Sequence, residues 1–199
     1  GVTLPLRNRI RILILILFVL IWQVEKGGRM YLSACIEWLF REEYPDFSDR
    51  VRAAKAQGFS HVEFHLWRDK PLAALAQALE ETGVTLSSFV VEPRRSLVDP
   101  AEHEQFLAAV SDSLAVSRQL GSPPLVVASG FSREGVDIAE QRAQAVHILR
   151  QAATLAEAAG VTLLLEPLNT RIDHPGMFLN DTRLALDIIE AVDSPRLQL

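Results

Sequence analysis

Residues 161–179 read VTLLLEPLNTRIDHPGMFL. A run of apolar β-formers over 161–165 ends in a carboxylate, Glu166, and a proline, Pro167, then gives way to Asn169, Arg171, Asp173 and His174. Five consecutive apolar or β-branched residues suit a strand covered on both faces, as the strands of a parallel sheet are. Proline cannot donate to a ladder, so pairing stops there. Such a strand delivers its last side chain, Glu166, to the space beyond the sheet, and the chemistry is expected at that end.

Outward from this stretch the same joint recurs. Four charged, Ala-rich stretches end in glycine and pass into an apolar run: AAKAQG into HVEFHLW at Gly58, ALEETG into VTLSSFVVE at Gly83, SRQLG into PPLVVASG at Gly121, and LAEAAG into VTLLLEP at Gly160. Each glycine is placed as a helix C′ residue, where a left-handed backbone closes the helix. Together with the opening run YLSACIEWLF, this predicts five strands, each followed by a helix, the helices over about 49–57, 71–82, 101–120, 137–159 and 181–192. Asp181 and Thr182 suit the N-cap of the last, and Asp99 with Pro100 opens the third. Strict β-then-α alternation implies a parallel sheet covered by helices.

An open doubly wound sheet and a closed barrel both satisfy that alternation. Polar residues gather at the predicted strand ends: Glu63 and His65 on the second, Glu92 on the third, Ser129 and Gly130 on the fourth, Glu166 on the fifth. A barrel turns all such ends toward one centre, whereas an open sheet concentrates function at one switch point. No G-x-G-x-x-G or G-x-x-x-x-G-K-[ST] element follows a strand, so nucleotide phosphate binding has no support. Residues 194–199 read as the start of a sixth strand, and a closed barrel takes about 250 residues. The expected fold is therefore α/β, a (β/α)8 TIM barrel that is incomplete, with about five βα units plus the start of strand six over residues 30–199. Unpaired edges on an open barrel also predict self-association.

Composition bounds the function classes. With 199 residues and 49% hydrophobic content the chain buries a sizeable core. Twenty basic against 25 acidic residues give a net charge of −5, and without a basic stripe nucleic acid is not expected as a partner. One cysteine, Cys35, excludes an intramolecular disulfide. It points to a reducing compartment, taken as cytoplasmic, with the thiol in a structural role.

Residues 1–29 differ in character from the rest of the chain. Arg7, Arg9 and Arg11 precede an apolar run over 12–22, similar to the n- and h-regions of a signal peptide. Eleven helical residues reach about 16 Å, too short for a bilayer, and no small-x-small cleavage pattern comes after them. The segment is set apart as an apolar leader: a start-site artefact ahead of Met30, a signal-like segment or anchor, or a packed extension.

The segment LLLEPLNTRIDHPGMFL resembles the signature of the hydroxypyruvate isomerase-like group within the xylose isomerase-like TIM-barrel superfamily, which also holds sugar epimerases and endonuclease IV. The likeness runs from about Met30 to the last residue. YLSACIEWLF followed by AAKAQGFSHVEF resembles the first strand, helix and second strand of that family, and LVDPAEHEQFL resembles the opening of its third helix. The resemblance implies an intramolecular isomerase in which Glu166 is a ligand of a divalent metal, Mg or Mn with Zn as a further option, and one of two glutamates flanking the substrate. The remaining ligands would lie beyond Leu199: an Asp in a Y-D-x-Y-H element on strand six, a residue on strand seven and a Glu on strand eight. The implied reaction converts a small hydroxy-carbonyl substrate, hydroxypyruvate to tartronate semialdehyde first, with sugar epimerisation as the alternative and an inactive fragment as a second class. The chain departs from the family pattern in three places: Trp67 and Arg68 replace its proline and tyrosine before Asp69, Cys35 stands where asparagine is common, and EPRRSLVDP replaces a glycine-rich loop.

The chemistry accounts for these residue types. Aldose–ketose isomerisation moves a proton between adjacent carbons through an enediolate, whose charge a divalent ion on hard oxygen ligands stabilises while a carboxylate acts as base. Glu166 fits that role, or else a strand-end ion pair. Asn169 and Arg171 are candidates to orient substrate hydroxyls or a carboxylate, or to cap the loop. His174, before the Pro175–Gly176 turn, is placed over the site or on an exposed loop. His65 stands near the end of the second strand, where the resemblance implies a histidine of the site, and is assigned to catalysis with Glu63 in substrate binding; strand alternation puts both on one face. His61, His103 and His147 fall at a strand start or on helices and are read as surface or packing residues.

Overall fold

The computed structural model describes residues 31–199, and the leader reading for 1–29 lies outside them. Two compact units make up the chain, the first ending at Ser88 and the second running Phe89–Leu199.

In the first unit, β1 (Ser33–Cys35), β2 (His61–Glu63) and the start of β3 (Thr85–Val90) pair parallel in sequence order. Helix α1 (Phe47–Ala56) follows β1 and α2 (Leu72–Thr82) follows β2. Asp46 starts α1 by accepting from Ser48 N at 2.8 Å, which satisfies one of the amides a helix start leaves unpaired. The two helices pack on each other, and Ile36, Val51, Ala54, Val62, Phe64, Leu75 and Ala78 form the core of the unit. Burial of each large side chain there contributes about 1.5–3 kcal/mol.

In the second unit, the end of β3 pairs with β4 (Leu125–Ala128), β4 with β5 (Leu163–Glu166), and β5 with β6 (Leu197–Gln198), all parallel. Asp99 caps a short 3-10 turn, Pro100–Glu102, which leads into α3 (His103–Gln119); α4 (Ile138–Ala159) and α5 (Thr182–Val192) come next. Helix α4 packs against both α3 and α5. Phe89, Leu125, Leu149, Leu163, Leu165 and Ile188 are among the fully buried side chains of this second unit. Asp181 caps α5 by accepting from Leu184 N at 2.9 Å.

Strand order follows sequence order, as the repeated joints predicted. All four joint glycines are left-handed, with φ of 90° at Gly58, 64° at Gly83, 90° at Gly121 and 72° at Gly160. Only glycine occupies that region at no steric cost. The sixth strand forms at Leu197–Gln198.

Two boundaries differ from expectation. The opening run contributes only Ser33–Cys35, because after Ile36 N donates to Glu63 O at 2.9 Å the chain folds back, Leu39 N donating to Cys35 O at 3.0 Å. The second strand ends at Glu63, so His65 lies two residues past it and strand alternation does not set its direction. Among the described residues no helix is long and apolar enough to cross a membrane.

Candidate active site

In the second unit the parallel pairing puts the ends of β3, β4 and β5 on one side, with Ala128 opposite Glu166. Leu165 is buried and Glu166, one residue on, is exposed. Although solvent reaches the carboxylate, desolvation by the surrounding protein raises it above the ordinary carboxylate range, and the guanidinium of Arg94 pulls it partly back. A surface group that is still enclosed on several sides behaves in this way. Arg94 sits two residues beyond Glu92, just past the end of β3, and its side chain is exposed.

The loops beyond these three strands are bound to one another. Leu97 N donates to Ser129 O at 2.9 Å, and Phe178 N donates to Gly130 O at 2.9 Å. The Ser129 hydroxyl accepts from Leu179 N at 3.0 Å and donates to Gly130 O at 3.0 Å. Gly130 has φ +79°, and a Cβ there would stand 2.7 Å from Ser96 Cα. Buried Gln141 clamps the next loop, accepting from Arg133 N and donating to Arg133 O and Val136 O. Ser129 and Gly130, expected among the polar strand ends, are therefore buried framework that fixes the surroundings of Glu166.

Asn169 works within its own loop. Its Oδ1 accepts from Arg171 N at 3.0 Å, its Nδ2 donates to Asp173 Oδ2 at 3.0 Å, and its carbonyl accepts from His174 N at 2.9 Å. Of the two roles expected for it, the loop-capping one is in place. The Arg171 side chain is exposed and His174 is half-buried beside the turn.

In the first unit Cys35 and Glu63 are register partners at the ends of β1 and β2. Glu63 is buried and its Oε2 accepts from Ser88 Oγ at 3.4 Å. Half-buried His65 has its Nε2 3.6 Å from Cys35 Sγ, and its backbone N–H donates to Glu37 Oε2 at 3.2 Å. The other oxygen of Glu37 accepts from Lys70 Nζ at 3.1 Å, and that ammonium also meets Asp69 at 3.0 Å and the face of Phe47 at 4.9 Å. His103 and His147 stack with centroids 6.2 Å apart on α3 and α4, as packing residues.

Glu166 offers the hard oxygen that a divalent ion takes. Among the described residues no group of three His, Cys, Asp or Glu side chains is arranged to hold a metal ion, and Glu166 stands as a single donor. Sequence reasoning missed Arg94, Glu37 and Lys70. The paired arginines of EPRRSLVDP were the available signal for the first, whereas Glu37 and Lys70 are 33 residues apart and meet only through the fold.

The chain is 36% identical over 141 residues to a 2-oxo-tetronate isomerase of Cupriavidus necator, covering 67% of this chain and 54% of that protein. It is 32% identical over 178 residues to a Homo sapiens protein provisionally named a hydroxypyruvate isomerase, covering 84% of this chain and 64% of that one. The chain thus spans less than two thirds of the length of these relatives. A crystal structure of an AP endonuclease, family 2, from Brucella melitensis superposes with a TM-score of 0.76 at 27% identity, over 84% of this chain and 67% of that one. A 3-keto-D-glucoside 4-epimerase from E. coli shares the fold with a TM-score of 0.68 at 20% identity, over 83% of this chain and 66% of that one. The xylose isomerase-like TIM barrel family model matches residues 51–199. With its parallel strands in sequence order and its helices between them, the chain belongs to the xylose isomerase-like TIM barrel family.

Proposed function

We propose that the protein is an isomerase that moves a proton between adjacent carbons of a small hydroxy-carbonyl acid, with hydroxypyruvate to tartronate semialdehyde as the leading reaction. One observation carries the reading: Glu166 stands at the open end of β5 with its carboxylate reachable from solvent yet held at a raised pKa by its surroundings. A carboxylate destabilised as an anion binds a proton or a cation more readily than an ordinary one. Both uses belong to enediolate chemistry.

Glu166 takes the proton from the substrate carbon and returns it to the neighbouring one, and it is the donor this chain offers to a divalent ion. Such an ion, of the Mg or Mn class with Zn as an option, supplies charge stabilisation for the enediolate oxygens when bound. Arg94 supports an acid as substrate over a neutral sugar. Its exposed guanidinium already acts on Glu166, and its planar fork matches a carboxylate in two parallel hydrogen bonds. The names of the relatives, a 2-oxo-tetronate isomerase and a provisional hydroxypyruvate isomerase, agree with a 2-oxo acid. Arg171 and His174 lie on the loop after Glu166 and serve as substrate contacts.

The test is turnover in D2O by the full-length protein on a panel of hydroxypyruvate, 2-oxo-tetronate and neutral ketoses. Deuterium entering the carbon next to the carbonyl of the acids supports the reading. Exchange confined to the ketoses assigns the protein to sugar epimerisation instead.

A further inference from the structure

Where the fold uses an arginine to hold itself together, it supplies acceptors. The Nε of buried Arg50 donates to Tyr44 O at 3.0 Å and its Nη1 to Ile36 O at 3.0 Å. Arg52 meets Glu81 Oε2 through both Nε and Nη2, at 3.2 and 2.8 Å. Arg95 is built differently: its Nε–H is buried, and among the described residues no acceptor meets it. A covered donor without a partner carries a desolvation cost that nothing offsets, and native folds leave few such groups.

The place of Arg95 in the loop after β3 ties it to Glu166. It stands between Arg94, whose guanidinium acts on Glu166, and Ser96, whose Cα lies 2.7 Å from where a Cβ on Gly130 would fall. Neighbouring Cα atoms are about 3.8 Å apart, so the pinned Ser96 backbone holds Arg95 at the same end of the sheet as Glu166. Two carboxylates that follow in the chain are engaged elsewhere. Glu102 Oε2 accepts from Ser96 N at 2.8 Å, and Asp99 Oδ1 accepts from Ala101 N at 3.1 Å and faces Arg133 Nε at 3.9 Å. Beside Glu166 there are thus two adjacent guanidinium groups, Arg94 exposed and Arg95 half-buried.

We infer that Arg95 is a second carboxylate-binding residue of the Glu166 site, turning the Nε edge of its guanidinium onto the carboxylate of the acid that Arg94 also meets. The turn breaks no hydrogen bond at Nε and costs a change of rotamer. A carboxylate has lone pairs enough for two guanidinium groups, and two parallel N–H donors match its two oxygens. The stranded donor is satisfied in the complex with an acid and stays stranded with a neutral sugar, so it favours the acid. This inference rests on the proposed function and deepens it by naming a further residue that reads the charge of the substrate.

Glycerate is the probe: it keeps the carboxylate and hydroxyls of hydroxypyruvate but lacks the carbonyl, so it binds without isomerising. Calorimetric titration of the full-length protein is expected to show glycerate binding in the parent, weakened roughly tenfold in Arg95→Met and not restored in Arg95→Lys, which has the charge without the fork. Arg95→Met keeps the apolar stem and removes the stranded donor, so without ligand its denaturant midpoint is expected to equal or exceed that of the parent. Unchanged affinity in Arg95→Met, full affinity in Arg95→Lys, or no glycerate binding by the parent overturns the inference. A lower midpoint in Arg95→Met also overturns it, making Arg95 a residue of the fold. The expected glycerate pattern without deuterium exchange into the acids would support the carboxylate site and overturn the isomerase reading alone.

Discussion

Gly130 and Ser96 approach so closely that a single added carbon does not fit between them: a Cβ on Gly130 falls 2.7 Å from Ser96 Cα. The neighbour is backbone, which cannot swing away as a flexible side chain can. At φ +79° an L side chain is strained in any case. The contact joins the loop after β4 to the loop after β3, and the Phe178 N–H bond to Gly130 O adds the loop after β5.

Gly130→Ala should therefore destabilise the protein by about 2 kcal/mol or more, from strain and displacement together. Denaturant midpoints of parent and variant measure it. A loss under about 0.5 kcal/mol, the range of ordinary surface changes, would mean that the loops shift freely and do not form a fixed frame for Glu166.

A stability signature at Glu166 depends on pH. Its carboxyl is raised in the folded protein, first by desolvation. The folded state then holds its proton to higher pH than the unfolded chain does, so the stability this contributes is present below the unfolded pKa and is lost as pH rises through the folded value. Removing the charge removes that loss. Glu166→Gln should match the parent in melting temperature at low pH and exceed it at neutral pH, the gap opening from the ordinary carboxylate range upward. A variant less stable than the parent at neutral pH would place Glu166 in a stabilising ion pair instead.

Lys70 is a nearly buried cation, its side chain 9% exposed, with Glu37 and Asp69 as partners. Glu37→Ala strands it with Asp69 alone and removes the acceptor for His65 N–H. A cost of about 2 kcal/mol is expected, below that of a fully stranded ion. The double variant Glu37→Ala/Lys70→Met should lose less than the sum of the two single changes, since no buried charge is left behind. Strict additivity would show that the pair is uncoupled.

Under the proposed function, Arg94 is a group that separates acids from neutral sugars. In the full-length enzyme Arg94→Gln should raise KM for a 2-oxo acid roughly ten- to a hundredfold, the scale of a hydrogen bond to a charged group, while leaving a neutral ketose unaffected. Equal effects on both would return Arg94 to a structural role near Glu166.

Much of this architecture was legible in the sequence because it is written locally. The glycine joints at Gly58, Gly83, Gly121 and Gly160 carry a backbone requirement that one residue type meets, and the apolar run ending at Glu166 and Pro167 marks both a buried strand and its exit. His65 was placed on a strand because apolar periodicity continues past Glu63, yet the ladder stops there; the His65 ring meets Cys35 and its backbone N–H donates to Glu37, 30 and 28 residues away. Ser129 and Gly130 looked like a polar strand end but serve the bonds among three loops. Pairings of this kind arise from strand register and loop contact, which hydrophobic pattern along a single segment does not encode.

If Glu166 performs the proposed proton transfer, turnover of hydroxypyruvate by full-length parent and Glu166→Gln, followed by NMR in D2O, reports it. Loss of both product and carbon-bound deuterium in a variant that keeps its fold is the expected result, because a group interacting with the reacting atoms contributes several kcal/mol in the transition state. Turnover of Glu166→Gln within about tenfold of the parent, a difference of about 1.4 kcal/mol, would contradict the account and return Glu166 to a structural role.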